Sequence, residues 1–364
     1  MSVTYVGGSF RGKGMLCNFL RSKILKSFAP AKKLTNFVSE TITASSMKSI
    51  KPGIRQPRAA IAGHLAALAA VAMWGYSFVS SRELLINELG PVQIYVLRFL
   101  LAYFVVLCIC HKRLFASTLT DELLMMLCGL TSGSLYFIAE NTALQYTLAT
   151  NVSLLTSMSP LITAIVLGLF YKNETLGIGT WIGSVLAVMG VVCVVFNSST
   201  NFEVNPLGDF LSLAAAFSWT VYSLILRKIS AGYDVWFITR KTFFYGLLTS
   251  LPFLAFEPWP ADFGAIIGRG EVICNLLFLG LGASTTGYLL WAFSVRNIGA
   301  LKANNYMYFQ SIFTLVVAYL VLGEKITLIG VTGIILIVGG LWVGDNINAL
   351  IDKRKGARLQ DSDI

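Results

Sequence analysis

"LAALAAVAMWGYSFVSSR" (Leu65–Arg82) and "LSLAAAFSWTVYSLILR" (Leu211–Arg227) decide the fold, because they are two versions of one segment. In each, an alanine-rich run leads to a tryptophan, Trp74 or Trp219, and an arginine follows eight positions later, Arg82 or Arg227. A second pair of landmarks keeps the register. Glu174 and Glu324 each follow a long apolar run. A glycine comes nine residues on (Gly183, Gly333), and another seven after that (Gly190, Gly340). Self-similarity of this kind marks a duplicated unit. The two copies run over 62–197 and 207–345.

The material between these landmarks is built for lipid. Of the 364 residues 55% are hydrophobic and 13% charged, with a mean hydropathy of +0.71. A soluble domain carries roughly 25% charged residues. Ten apolar stretches approach the ~20 residues a bilayer-crossing helix needs. They cover 62–82, 92–111, 122–145, 150–171, 177–196, 207–228, 235–256, 271–294, 300–322 and 327–345. Backbone groups in lipid find partners only within their own segment, so each stretch is expected to be a helix. The expected fold is therefore an all-α integral membrane protein of ten transmembrane helices, five per copy. Five is odd, so the second copy enters from the opposite face. The halves are then inverted repeats, an arrangement secondary carriers use to hold a solute between them.

Charge sets the expected orientation. Eleven Lys or Arg precede residue 61 against one acid, Glu40, and four more crowd the tail (Lys353, Arg354, Lys355, Arg358). With the N-terminus cytoplasmic, most of the remaining basic residues also fall on inside segments, and both termini lie inside. The +10 net charge thus flanks membrane segments and speaks for the bilayer as partner rather than nucleic acid. Residues 1–60 read as a basic, disordered N-terminal extension. An organelle transit peptide, a surface-lying helix and a start at Met47 all fit its composition. "MKSIKPGIRQPR" (Met47–Arg58) before an apolar span is an ordinary opening for a bacterial inner-membrane protein. Residues 346–364 read as a cytoplasmic tail.

Chemistry is sparse. The cysteines (Cys17, Cys108, Cys110, Cys128, Cys193, Cys274) show no CxxC, and the only histidines, His64 and His111, stand at span ends. No metal site, disulfide framework or cofactor is called for. No phosphate-binding G-x-x-x-x-G-K loop is present, and an intramembrane enzyme lacks a clustered nucleophile and base. A passive channel would be separated from a carrier by single-channel currents.

"ALQYTLATNVSLLTSMSPLITAIVLGLFYKNETLGIGTWIGSVLAVMGVVCVV" carries Ala143, Pro160, Glu174, Gly183 and Gly190, and the second copy carries "LGEKIT" (Leu322–Thr327). On these residues the chain, over about 62–345, resembles the drug/metabolite transporter superfamily, EamA type. The resemblance implies alternating access and export of amino acids, amines, metabolites or toxic compounds. Other members exchange nucleotide sugars or sugar phosphates. One departure stands out: Gln310 occupies the second copy's proline position.

The candidate solute site follows from polar residues inside spans. In "YFIAENTALQY" (Tyr136–Tyr146), Glu140 stands about seven residues from the expected outer end of its span, and Arg98 stands seven after Pro91. At ~1.5 Å per residue both lie about 10 Å deep, which suits an ion pair. Glu140 is alternatively a cavity carboxylate that binds an amino group or carries a coupling proton. Arg240 and Lys241 enter the seventh span, where long basic side chains can reach back to the interface. Polar stripes run down the fourth span (Ser153, Thr156, Ser157, Ser159) and the ninth (Asn304, Asn305, Tyr306, Tyr308, Gln310). They line a cavity or bond helices together. Trp74, Tyr76, Ser77, Trp219, Tyr222, Ser223, Tyr288 and Trp291 would supply an aromatic wall for an amphipathic solute. The glycine faces of the fifth and tenth spans read as packing surfaces, serving a scaffold or a homodimer.

Overall fold

The computed structural model describes residues 57–111, 114–147, 149–170, 177–198, 205–322 and 328–361. The expectations for residues 1–56, for Glu174 and for most of the LGEKIT turn lie outside them. Apart from 269–271, the described residues pack as one unit.

The described residues are helical, without strands. In chain order the helices are α1 (Pro57–Ile86), α2 (Pro91–Ile109), α3 (Leu119–Gly129), α4 (Tyr136–Tyr146), α5 (Ala149–Thr156), α6 (Ser159–Phe170), α7 (Ile178–Ser198), α8 (Pro206–Ile229), α9 (Val235–Phe256), α10 (Phe263–Ile267), α11 (Gly270–Leu277), α12 (Gly287–Ile298), α13 (Ala300–Asn305), α14 (Met307–Leu322) and α15 (Leu328–Asp361). A π-helical segment, Leu130–Leu135, joins α3 to α4, and a second, Phe278–Thr286, joins α11 to α12.

Helix starts carry the expected chemistry. Thr118 accepts from Asp121 N at 3.1 Å at the head of α3, Asn205 accepts from Leu207 N and Gly208 N at 3.2 Å before α8, and Asp234 accepts from Trp236 N at 3.1 Å before α9. Each satisfies donors that the first turn cannot. Pro91 and Pro206 stand just inside their helices, where a missing N–H costs nothing.

Among the described residues, five helical segments are long and apolar enough to cross a membrane whole: Ala59–Ile86, Pro91–Ile109, Leu119–Tyr146, Pro206–Ile229 and Gly270–Ile298. Ile178–Cys193 and Leu328–Gly344 are shorter apolar helices. The expected 150–171 and 300–322 spans are each broken. In the first, Pro160 offers no N–H and crowds the carbonyl four residues back, so α5 stops at Thr156 and the chain restarts as α6. In the second, the break comes at Tyr306 with no proline nearby. There Tyr306 N bonds Ala303 O and Phe309 N bonds Tyr306 O, both tighter three-residue steps. Helix α15 also runs on past 345 through Asp361.

The α7–α15 pair is held by glycine. A Cβ on Gly183 would stand 2.8 Å from Gly340 O, and one on Gly190 would stand 2.6 Å from Gly333 O. Only hydrogen lets the two backbones approach this closely. The pairing is antiparallel and reciprocal: the contact Gly183–Gly340 becomes Gly333–Gly190 when the two copies are exchanged. Large apolar side chains such as Phe104, Phe217, Leu248, Leu251, Ile335 and Trp342 are exposed. In water such a surface would aggregate, whereas in a bilayer it faces lipid tails.

Candidate functional site

The first and second copies meet at a nest of rings. Trp74 on α1 lies 5.0 Å from Trp219 on α8 and 5.2 Å from Trp291 on α12, between ring centroids, and Trp219 lies 5.6 Å from Trp291. Tyr288 stands 6.0 Å from Trp74 and 5.9 Å from Trp219, and Tyr222 packs 5.0 Å from Trp219. These are edge and tilted arrangements, which suit the ring quadrupole. Trp74 is pinned by its indole N–H donating to Ala283 O at 2.9 Å, inside the second π segment. Gly287 lets the helix pass: a Cβ there would meet Trp74 Nε1 at 2.7 Å.

Beside this nest lies a small enclosed cavity lined by Trp74, Ser77, Phe78, Tyr136, Phe137, Glu140, Trp219 and Met307. It has room for about one water molecule. Every residue lining it is buried.

Glu140 opens onto this cavity and is 2% exposed. The Tyr136 hydroxyl, one turn earlier, meets its carboxyl, but Oε1 has no hydrogen-bond partner. Arg98 is fully buried nearby. It donates Nε to Ser284 Oγ at 2.9 Å, and its guanidinium lies 4.5 Å from the Phe137 ring centroid, while Nη1 and Nη2 are unpartnered. Equal depth did bring the two charges within each other's field. The expected direct ion pair does not form, because Arg98 is drawn to Ser284 across the repeat interface. Asn141 turns away and donates to Pro91 O at 3.0 Å.

The polar stripes mostly bond helices together. Ser153 reaches Thr314 at 3.1 Å, Ser157 reaches Ser311 at 3.0 Å, and Asn304 donates to Thr163 Oγ1 at 2.8 Å while accepting from Ser223 at 3.1 Å. Gln310, in the proline's place, donates to Thr156 Oγ1 at 3.3 Å, at the break in the other copy. Tyr308 packs with Ala187, Val191, Leu315 and Ile337. Tyr76 stands 4.5 Å from Phe278, and Ser77 donates to Trp74 O while lining the cavity. The structure therefore brings Trp74, Ser77, Trp219, Tyr222, Tyr288, Trp291, Glu140 and Arg98 together. Ser153, Ser157, Asn304, Tyr308 and Tyr76 fall outside that group.

Arg240 and Lys241 are 3% and 4% exposed. Arg240 donates to Cys110 O at 2.7 Å, and Lys241 donates to Leu114 O at 3.0 Å and pairs with Glu122. Tyr245 also donates to Glu122, and Tyr233 donates to Asp121 at 2.7 Å. Residues missed from sequence include Phe137, Tyr136 and Met307 on the cavity wall, and Ser284 beside Arg98. The two π segments were equally unannounced. Among the described residues no group of three His, Cys, Asp or Glu could hold a metal ion.

The EamA-like transporter family model matches residues 61–196 and 206–343. The chain belongs to the EamA-like transporter family. The two matched blocks coincide with the two copies read from the sequence. An uncharacterized transporter of Archaeoglobus fulgidus is 27% identical over 288 residues, covering 77% of this chain and 96% of its own length. The probable amino-acid metabolite efflux pump of Escherichia coli is 26% identical over 284 residues, covering 76% and 92%. The Bacillus subtilis uncharacterized transporter YdfC is 27% identical over 234 residues, covering 61% and 71%. A solved crystal structure shares the fold, with a TM-score of 0.61 at 17% identity over 82% of this chain and 99% of that one. An EamA chain is a multi-pass membrane transporter, and its relatives here are named as transporters rather than enzymes.

Proposed function

We propose that this EamA protein is a secondary carrier that exports small amphipathic metabolites, amino acids and amines among them, by alternating access. The observation that carries the reading is the closed ring nest. Its walls come from both copies, and it holds a buried acid and a buried base at their junction. Ten helices in two inverted five-helix halves, 62–197 and 207–345, form the framework. The reciprocal antiparallel glycine contacts between α7 and α15 support that inversion, since a two-fold axis lying in the membrane plane generates such a pair. The lysine and arginine distribution supports a reading with both termini on the cytoplasmic side, and the Met47 opening supports a bacterial plasma membrane. Glu140 is the group placed to exchange a proton for cargo.

The name of the Escherichia coli relative supports a solute of the amino-acid class. An exchanger of sugar phosphates or nucleotide sugars needs several free cations in the chamber. Here Arg240 and Lys241 are committed to carbonyls and to Glu122. The test is transport by purified protein in proteoliposomes. Native protein is expected to move at least one member of a panel of amino acids and amines, with a proton gradient raising the rate. Glu140→Gln is expected to abolish that gradient response while leaving the protein folded, as read by its thermal unfolding. Gradient-driven transport unchanged in Glu140→Gln removes the coupling role. Failure of native protein to move any panel member removes the carrier reading.

A further inference from the structure

Buried charges in this protein fall into two classes. At one bundle end, Arg240, Lys241 and Glu122 satisfy each other or backbone carbonyls. In the middle, Arg98 and Glu140 do not. The buried side-chain atoms without partners among the described residues belong mostly to neutral groups, and the charged groups among them are these two alone. An ionised group left this way costs several times more than a hydroxyl, so the arrangement needs a reason. The unmet atoms are specific in kind. Arg98 has spent Nε on Ser284, which leaves the Nη1/Nη2 edge of its fork, the edge that takes a carboxylate with two parallel bonds. Glu140 leaves one carboxylate oxygen, an acceptor for an ammonium. Phe137 packs under Arg98 at 4.5 Å and stands about one turn from Glu140 on the same helix. The indole N–H groups of Trp219 and Trp291 are also unmet.

We infer that Arg98 and Glu140 form a split dipolar site for a zwitterion, a free α-amino acid bearing an aromatic or large apolar side chain. Its carboxylate sits on Arg98, its ammonium sits on Glu140, and its side chain enters the Trp74, Trp219 and Trp291 nest. Such a cargo brings no net charge into the membrane, and it satisfies both orphaned groups at once. The inference rests on the carrier reading above and narrows it.

The test uses three solutes that share one ring: tryptophan, tryptamine without the carboxylate, and indole-3-propionate without the ammonium. Binding to native protein is read by thermal shift in detergent and by inhibition of tryptophan counterflow in proteoliposomes. Tryptophan is expected to bind roughly 10- to 100-fold more tightly than either single-charge analogue, the factor that losing one charge-assisted bond gives. Arg98→Gln is expected to erase the preference for tryptophan over tryptamine, with Arg98→Lys restoring part of it. Glu140→Gln is expected to erase the preference over indole-3-propionate. Should either variant fail to fold, the native analogue series decides alone. Equal binding of tryptamine or indole-3-propionate and tryptophan, or a preference unchanged in Arg98→Gln, overturns the zwitterion site while leaving a carrier in place. Native protein that carries no solute of any class overturns the carrier reading itself.

Discussion

Gly339 and Gly340 are neighbours in α15, and alanine should act oppositely at them. A Cβ on Gly340 would lie 2.8 Å from Leu186 Cβ, 2.9 Å from Gly183 O and 3.0 Å from Ala187 N, whereas one on Gly339 meets nothing within 4 Å. Ordinary contact begins near 3.4 Å, so Gly340→Ala forces α7 and α15 apart by about 0.6 Å, the difference between 3.4 and 2.8. A gap of that order forfeits roughly a quarter of each flanking dispersion contact. Overpacking of this kind costs about 1–3 kcal/mol. The gain in helix preference from glycine to alanine, up to ~1 kcal/mol in water, is smaller in a membrane, where the unfolded chain keeps its helices. The expected net loss is about 1–2 kcal/mol for Gly340→Ala. Gly339→Ala should change stability by under about 0.5 kcal/mol, on the stabilising side. Reversible unfolding of purified protein by SDS in mixed micelles, followed by tryptophan fluorescence, measures both. Adding Gly183→Ala to Gly340→Ala should cost less than the sum, because one separation of the helices admits both methyl groups. Equal effects at 339 and 340, or strict additivity of 183 and 340, would refute the close-packed glycine face.

Lys241→Met should destabilise by roughly 3 kcal/mol in the same assay, since it strands Glu122 beside Tyr245. The double variant Lys241→Met/Glu122→Gln should recover part of that loss, and a double variant worse than the sum would count against the pair. Glu257→Gln should cost about 1 kcal/mol, because its carboxylate accepts from Val92 N at 3.1 Å and Gln93 N at 2.8 Å at the positive end of α2. Stability unchanged in Glu257→Gln would refute the contact. Gly287→Ala should push the Trp74 indole off Ala283 O, shifting tryptophan emission and lowering the transport rate, at a stability cost of about 1–2 kcal/mol. Unchanged emission and transport would show that the Trp74 position is immaterial.

Much of this was legible from residues. The tryptophan–arginine spacing and the glycine ladder located both copies, and the depth of Arg98 and Glu140 predicted that they would share one neighbourhood. What periodicity could not supply was partner choice. Ser284 is one of many small polar residues in the second copy, and nothing in its spacing shows that it faces Arg98. The serine and threonine stripes read equally as cavity lining or as glue, and only the facing register of Ser157 with Ser311 decides for glue. The 150–171 span is expected as one unbroken helix, although Pro160 stands where the break falls. The equivalent break at Tyr306 has Gln310 where a proline would have signalled it. The π segments carry glycine and hydroxyl residues that are common in membrane helices generally, so they left no readable mark.

Arg98 on α2 and Arg240 on α9 are both buried arginines, yet the fold uses them differently. Helices α2 and α9 lie against each other with charges at both ends of α2. Glu257 accepts from its first-turn N–H groups, and Arg240 donates to Cys110 O at its last turn. Negative charge at a helix start and positive charge at its end each complement the helix dipole, so α9 holds α2 at both termini. An arginine spent on a helix end cannot also meet a solute. Arg98, one copy away and deep among rings, keeps its Nη edge unmet. Arg240 thus serves the lock between helices, which leaves Arg98 and Glu140 as the one acid–base pair at the centre to meet the dipolar cargo proposed above.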